Sequence, residues 1–306
     1  MLSVRGLEVR YGLTGAVRGI DVELGEGRAL GLLGESGAGK TTLALAATGN
    51  LPRDAVATGS VRVHGSELLD RPERQLRALR GTRVGLVLQE PSLALNPVRT
   101  AGGHLGEVVA ASGVRRRNRR ERVARVLSDV GLDPLRHGRA YPWQLSGGQQ
   151  QRLVVALAIA QDPGLLVADE PTASLDAPSQ IETLDLLERL RQERGLALMI
   201  ISHDPGVAAV CEQLAVLLAG RIVEEGNRQS VLRTPQHPYT RALLDSLPGP
   251  SWRSQEAHNP GDLPPPPTGC PFATRCEHAD GRCRDSEPPV TVTGNDHRVR
   301  CWIHVG

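Results

Sequence analysis

The sequence predicts an α/β fold built on a largely parallel sheet. A small antiparallel β subdomain precedes the sheet, a helical subdomain is inserted into it, and a Cys-rich appendage follows it. Three observations carry this prediction. Short apolar runs that read as buried strands alternate with amphipathic helical patterns. The segment Gly34-Glu35-Ser36-Gly37-Ala38-Gly39-Lys40-Thr41 has the G-x-x-x-x-G-K-T spacing of a phosphate-binding loop between a strand and a helix. Aromatic residues are only 2% of the 306, so the core must be assembled from Leu, Val, Ile and Ala.

In chain order, Leu7 and Val9, then Ile20, Val22 and Leu24, alternate with polar residues and suggest antiparallel strands. Leu30-Gly31-Leu32-Leu33 reads as the buried strand that feeds the loop. Thr42-Leu43-Ala44-Leu45-Ala46-Ala47 reads as the helix that leaves it, N-terminus toward the anion. Val61-Arg62-Val63 is a short strand, and Val84-Gly85-Leu86-Val87-Leu88 a buried one that ends at Gln89. From about residue 100 to about 160 the pattern turns helical, with Val123, Val126, Leu127 and Val130 on one face. Leu165-Leu166-Val167-Ala168 is a short buried strand with Asp169 and Glu170 at its end. Ile181, Leu184, Leu187 and Leu190 mark a long amphipathic helix, and Leu196-Ala197-Leu198-Met199-Ile200-Ile201 a further buried strand. Ligands of such a sheet belong at the C-terminal ends of its strands.

Composition shifts near residue 247. Pro248-Gly249-Pro250 and Pro264-Pro265-Pro266-Pro267 make a stiff linker. The chain thus divides into a nucleotide-binding domain, 1–247, with its helical subdomain at about 90–160, and a segment 248–306 that has few aliphatics after the linker. A piece that small usually needs a metal or disulfides to fold. The net charge of +2 points neither to nor away from nucleic acid, and the run Arg115-Arg116-Arg117-Asn118-Arg119-Arg120 reads as a solvated helix start. No apolar stretch reaches membrane-spanning length, and Met1-Leu2-Ser3-Val4-Arg5 lacks a signal peptide's apolar core. The chain is therefore expected to be cytosolic unless a partner carries it to a membrane, and disulfides among its five cysteines are not expected.

The motifs specify chemistry. The loop glycines let backbone N–H groups turn inward to cradle phosphate oxygens. Lys40 is the one lysine in the chain; it would reach the β- and γ-phosphates while the Thr41 hydroxyl ligates Mg²⁺. Asp169 would hold Mg²⁺ through its water shell, and Glu170 would polarise the attacking water. Paired acids after a strand can also be a plain surface turn; the loop upstream favours the functional reading. Leu145-Ser146-Gly147-Gly148-Gln149 opens a second helix and forms a second anion cradle. Two cradles in one ATP-binding domain make sense if the second serves another protomer's nucleotide.

That segment resembles the LSGGQ signature of ATP-binding cassette (ABC) proteins, in which two cassettes pair head to tail around two ATP molecules. The resemblance implies an ABC-type P-loop NTPase with a RecA-like core. The implied ATP-binding residues are Tyr11, Gly34, Glu35, Ser36, Gly37, Ala38, Gly39, Lys40, Thr41, Thr42 and Gln89. Thr41, Gln89 and Asp169 would be the Mg²⁺ site, and Glu170, His203 and Lys40 the catalytic set. Ser146, Gly147, Gly148 and Gln149 would act on the partner's nucleotide, and Asp176 in Ser174-Leu175-Asp176 would be the D-loop aspartate at the dimer seam. Gln89 in Val87-Leu88-Gln89-Glu90-Pro91 matches the Q-loop, and His203 in Ile201-Ser202-His203-Asp204 matches the switch histidine. Tyr11 is either an adenine-stacking aromatic or an exposed strand-end tyrosine.

Three further segments narrow the resemblance to oligopeptide/dipeptide (and nickel) permease ATPases. These are Gln89-Glu90-Pro91-Ser92-Leu93-Ala94-Leu95-Asn96-Pro97, the His237-Pro238-Tyr239-Thr240 motif, and the tail around Cys270, Cys276, Cys283 and Cys301. Trp143 departs from the family pattern before the signature. The C-x₅-C-x₆-C-x₁₇-C spacing is unlike a paired zinc knuckle. Some family members carry a [4Fe–4S] cluster on such cysteines. Cys270 precedes a proline, and Arg275, Arg282, Arg284 and Arg300 could offset a negative cluster. Iron–sulfur leads, with zinc and unligated thiols as the alternatives. The resemblance implies a peripheral subunit on the cytoplasmic face of the plasma (inner) membrane, docked through the helical region after Gln89. Its implied partners are a second ABC ATPase, identical or homologous, two transmembrane permease subunits, and indirectly an extracytoplasmic binding protein; no nucleic acid is implied. Peptides lead as cargo over nickel or a metallophore. A soluble ABC ATPase acting on ribosomes or DNA is the rival; such proteins usually carry two cassettes or a long coiled coil, neither of which is seen.

Overall fold

The structure is a computed structural model and describes residues 1–245, 268–294 and 296–305. The Pro-rich linker and the expected boundary at 247 and 248 lie outside the described residues.

An antiparallel sheet comes first. β1 (Leu2–Tyr11) turns back into β2 (Thr14–Leu24), and the chain then passes through β3 (Ala29–Leu33) and α1 (Lys40–Ala47) of the core. It returns as β4 (Ala55–Val63) and β5 (Ser66–Glu67), giving the order β2-β1-β4-β5. Val4 and Leu7 are both fully buried although strict alternation would place them on opposite faces. The pairing of β1 with β2 shifts register between them, where Gly6 takes φ +52°, and this irregularity turns both side chains inward.

After α2 (Glu73–Leu79), β6 (Val84–Val87) forms one edge of the second sheet. α3 (Pro91–Ala94), α4 (Ala101–Ala111), α5 (Arg119–Asp129) and α6 (Gly147–Ile159) build the helical subdomain, closed on Leu105, Val109, Val126, Leu127 and Leu153. The arginine-rich run lies on its exposed surface apart from the half-buried Arg119. The core resumes with β7 (Leu165–Asp169), α7 (Ala177–Arg194), β8 (Ala197–Ser202), β9 (Gln213–Leu218) and β10 (Arg221–Asn227). α8 (Arg228–Arg233) and α9 (Pro238–Asp245) follow, then α10 (Gly281–Asp285), β11 (Val290–Thr293) and β12 (His297–Arg300) in the appendage.

The second sheet has the order β11-β12-β10-β9-β3-β8-β7-β6. Its β9-β3-β8-β7-β6 portion is parallel, as expected. Every residue of β3, β7 and β8 is buried, which is why these strands read as unbroken apolar runs. Leu33 lies beside Ser202, and Asp169 beside Ile201. The phosphate-binding loop, Glu170 and His203 therefore leave the sheet side by side.

One expectation changes. The buried stripe of α7 is Thr183, Leu186, Leu187 and Leu190, while Ile181 is 63% exposed. Two residues before Thr183, Ile181 is turned roughly 200° around the helix, onto the opposite face. The appendage extends the main sheet, because β12 pairs with β10. The fully buried Glu224 fixes this junction. It accepts from the backbone N–H of Gln236 (2.7 Å) and of His237 (2.9 Å), and pairs with His297 Nε2 at 2.6 Å. All five cysteines are free, and among the described residues no helix is long and apolar enough to cross a membrane.

Leu187→Ala is expected to lower unfolding stability by about 2–5 kcal/mol, and Ile181→Ala by less than about 0.5 kcal/mol, in denaturant titrations. The reverse ranking would contradict the face assigned to α7.

Candidate functional site

The loop between β3 and α1 has no space for side chains at two of its glycines. A Cβ on Gly39, at φ +101°, would come within 2.3 Å of the Ala16 carbonyl oxygen. One on Gly34 would come equally close to the Leu217 carbonyl oxygen. The glycines thus let the loop lie tight between two neighbouring segments and deliver Lys40 at the start of α1. Lys40 is 6% exposed. Its Nζ donates to the carbonyls of Gly34 (2.7 Å) and Glu35 (2.9 Å) and lies 3.8 Å from Glu170 Oε1. Burial lowers its pKa; the charges of Glu170, Asp169 and Glu35 oppose that shift.

Asp169 ends β7, almost fully buried, and burial raises its pKa against a hydrogen bond from the Thr41 side chain. Its Oδ1 has no partner among the described residues. Glu170 follows at φ +48°, uncommon for a residue with a side chain. Two donors hold its carboxylate, Ser202 Oγ (3.1 Å) and the His203 N–H (3.1 Å), and His203 Nδ1 lies 2.9 Å from its Oε2. Ser202 escaped the sequence reading; its only linear signal is its place beside His203.

A cleft of about 630 Å³ gathers these groups. Of the residues expected at the nucleotide, Glu35, Ser36, Gly37, Gly39, Lys40, Thr41, Thr42, Gln89, Glu170 and His203 line it, together with Ala16 and Leu243. Gly34 and Ala38 lie in the loop behind the lining. Asp169 touches the site through Thr41. Tyr11 ends β1 and does not line the cleft.

The signature lies elsewhere. Ser146 caps α6, accepting from the Gln149 N–H (3.3 Å) while Gln149 Oε1 accepts from the Ser146 N–H (3.0 Å). Ser146 and Gly147 are exposed and do not line their own chain's cleft. Asp176 caps α7 through the Ser179 N–H at 2.9 Å, and its hydrogen bonds to Ser179 hold its carboxyl below the usual range. Trp143 is exposed and stacks on Tyr141, with ring centres 6.0 Å apart.

A second, apolar pocket is lined by Cys270, Cys276, Cys283 and Cys301 together with His237, Phe272 and Trp302. Burial pushes the Cys270 thiol up to about 11 and raises those of Cys276 and Cys301, with the neighbouring thiols adding to each shift. His237 is 1% exposed; its Nδ1 accepts from the Tyr239 N–H at 3.0 Å, and its Nε2 has no partner among the described residues. As the side chains stand, no group of three or more His, Cys, Asp or Glu among the described residues is placed to hold a metal ion. Arg275, expected to offset charge at the cysteines, is instead engaged by Glu35, while Arg282 pairs with Asp280.

Fold and cleft together define an ATP-binding cassette. Residues 17–173 match the family model described as ABC transporter, and residues 223–283 match that described as oligopeptide/dipeptide transporter, C-terminal region. The chain is 39% identical to a probable peptide ABC transporter ATP-binding protein of Sinorhizobium fredii and 36% identical to the dipeptide transport ATP-binding protein DppD of Bacillus subtilis. Each match covers 99% of this chain and 94% of the relative. Among solved structures, the dimeric bacterial ABC transporter cassette MJ0796 superposes with a TM-score of 0.67 at 27% identity, over 74% of this chain and 99% of that one. CbiO1 of Clostridium perfringens, part of the ABC transporter complex cbiONQ, does so with a TM-score of 0.68, also at 27% identity, over 76% and 90%. The chain belongs to the ABC transporter ATPase family. Within it, the chain carries the C-terminal region of the oligopeptide/dipeptide transporters and is an ATP-binding, ATP-hydrolysing subunit.

Proposed function

We propose that the chain powers uptake of dipeptides or oligopeptides through a separate transmembrane permease, from the cytoplasmic face of the membrane. The observation that carries this is the joining of a cleft lined by the phosphate-binding loop, Gln89, Glu170 and His203 to the C-terminal region of oligopeptide/dipeptide transporters. The substrate would not touch this subunit; the permease and an extracytoplasmic binding protein would select it. Two permease subunits and a second cassette, identical or homologous, would complete the machine.

In this reading Lys40 exchanges the Gly34 and Glu35 carbonyls for nucleotide phosphates. Thr41 and Asp169 suit the accompanying Mg²⁺: a buried carboxylate oxygen without a partner beside a hydroxyl is a fitting oxygen donor set. Gln89, on the cleft wall, is assigned to the same ion and to the permease contact. The ion would offset phosphate charge. Glu170 takes the proton of the attacking water, and its two donors keep the carboxylate aimed. His203 and Lys40 stabilise the transferred charge. The exposed α6 N-terminus, with Ser146, Gly147, Gly148 and Gln149, would close on the partner's nucleotide, with Asp176 at the seam and Tyr11 stacked on adenine. Nucleotide binding then closes the cassette pair, and hydrolysis reopens it.

We further read the four pocket cysteines as ligands of one metal group, an iron–sulfur cluster ahead of zinc. Their convergence on one apolar pocket supports this. So does His237: with Nδ1 accepting a backbone N–H, the neutral ring carries its proton on Nε2, a buried donor without a partner among the described residues that suits an electron-rich sulfur. The thiols would lose their protons on ligation, and the gathered chain would be fixed there.

Glu170→Gln should retain Mg-ATP binding and lose roughly 10²-fold or more in turnover. Wild-type turnover in the purified complex would remove Glu170 from its role. Protein purified without oxygen should be brown, absorb broadly near ~400 nm and hold about four irons per chain. Colourless protein with stoichiometric zinc would overturn the iron assignment, and protein with neither metal and an ordered tail would defeat both.

A further inference from the structure

The Gly34–Glu35 peptide unit is held at both ends. Its carbonyl, that of Gly34, accepts from Lys40 Nζ at 2.7 Å. Its N–H, that of Glu35, donates to the Tyr239 hydroxyl at 2.9 Å. A peptide unit is planar, so holding the N–H fixes the direction of the carbonyl. The Glu35 side chain is pinned in turn by Arg275, which donates to its two carboxylate oxygens at 2.9 and 3.1 Å. Paired donors of this kind fix orientation as well as distance.

Both partners come from the C-terminal part of the chain. Tyr239 is 1% exposed and meets Phe272 edge-on, with ring centres 5.5 Å apart. The Arg275 guanidinium lies 5.0 Å from the Phe272 ring centre. Phe272 and Arg275 sit between Cys270 and Cys276, in turns closed by hydrogen bonds from the Ala273 N–H to the Cys270 carbonyl and from the Arg275 N–H to the Phe272 carbonyl. The loop carrying two of the pocket cysteines therefore rests directly on the loop that would carry phosphate, although some 240 residues separate Glu35 from Arg275.

We propose that Tyr239 and Arg275 are positioning residues of the nucleotide site, through which the Cys-rich appendage sets the affinity for Mg-ATP. Both act through Glu35. Released from Tyr239, the peptide is free to rotate, and a carbonyl oxygen can turn toward the phosphates, where it repels them. Linkage makes the effect reciprocal: if the ordered appendage favours nucleotide, bound nucleotide stabilises the appendage by the same factor. This inference rests on the nucleotide-site reading and on no metal at the cysteines.

The test uses the full-length chain, held well below its unfolding temperature so that a small loss of stability cannot alter affinity. Tyr239→Phe deletes one hydroxyl and keeps the ring; Arg275→Gln removes the paired donors from a half-exposed position. Each should raise the Kd for Mg-ATP about five- to tenfold, the value of one hydrogen bond. Arg275→Lys, which keeps the charge and loses the fork, should recover part of the loss. Saturating Mg-ATP should slow proteolysis within residues 268–305 in the wild type and do so less in the variants. Wild-type Kd in both Tyr239→Phe and Arg275→Gln, or appendage proteolysis indifferent to nucleotide, would overturn the proposal. A wild-type chain that bound no Mg-ATP would instead overturn the nucleotide site itself, and the proposal with it.

Discussion

The Lys40 ammonium lies almost out of water, donating to two backbone carbonyls and facing the Glu170 carboxylate at 3.8 Å. An isolated charge so placed would cost several kcal/mol or give up its proton. Here the carbonyls satisfy two of its donors, and Glu170, Asp169 and Glu35 counter the desolvation that lowers its pKa. Much of the molecule follows from keeping that charge where it is. The parallel pairing of β3, β8 and β7 brings the loop, His203 and Glu170 to one edge. Gly34 and Gly39 let the loop lie against the Leu217 and Ala16 carbonyls at distances no side chain permits. The arrangement is poised for an anion: phosphate supplies the negative charge for which the ammonium and the loop N–H groups are set.

The appendage joins this economy of charge from the far end of the chain. Its hairpin extends the main sheet beyond β10, and the buried Glu224 ties that edge to both His237 and His297. From the same junction Tyr239 reaches Glu35, and Arg275 closes over Phe272. Packed rings and a single peptide plane thus connect the loop between Cys270 and Cys276 to the phosphate-binding loop.

The lining of the cleft was legible in the sequence because its motifs are local. The loop spacing, Asp169-Glu170 after an apolar run, the signature and His203 after its strand each occupy a few consecutive residues, and each restricts residue type for a backbone or charge reason. The parallel core was legible for a related reason, since strands covered on both faces leave unbroken apolar runs. What escaped reading is long-range. Nothing in the line of residues links Tyr239 or Arg275 to Glu35, and the arginine beside a cysteine reads as a charge for the cysteines until the fold places a carboxylate against it. Ile181 misled because the three-residue spacings from Ile181 to Leu190 drift by about 60° a step around the helix and end on opposite sides; burial chose the face through Thr183 and Leu186. The junction of β10 with β12 was hidden because strand partners so distant leave no periodic signal.

With a single lysine in the chain, lysine-specific nitrogen-isotope labelling yields one side-chain Nζ resonance, that of Lys40. Following it by NMR across pH, with and without Mg-ATP, tests the central claim most directly. In the free chain the ammonium should titrate below an ordinary lysine, because burial outweighs its anionic neighbours. Saturating Mg-ATP should shift the resonance and move the titration upward, since phosphate charge favours the protonated amine. A resonance that titrates like an exposed lysine and ignores saturating Mg-ATP would contradict the account.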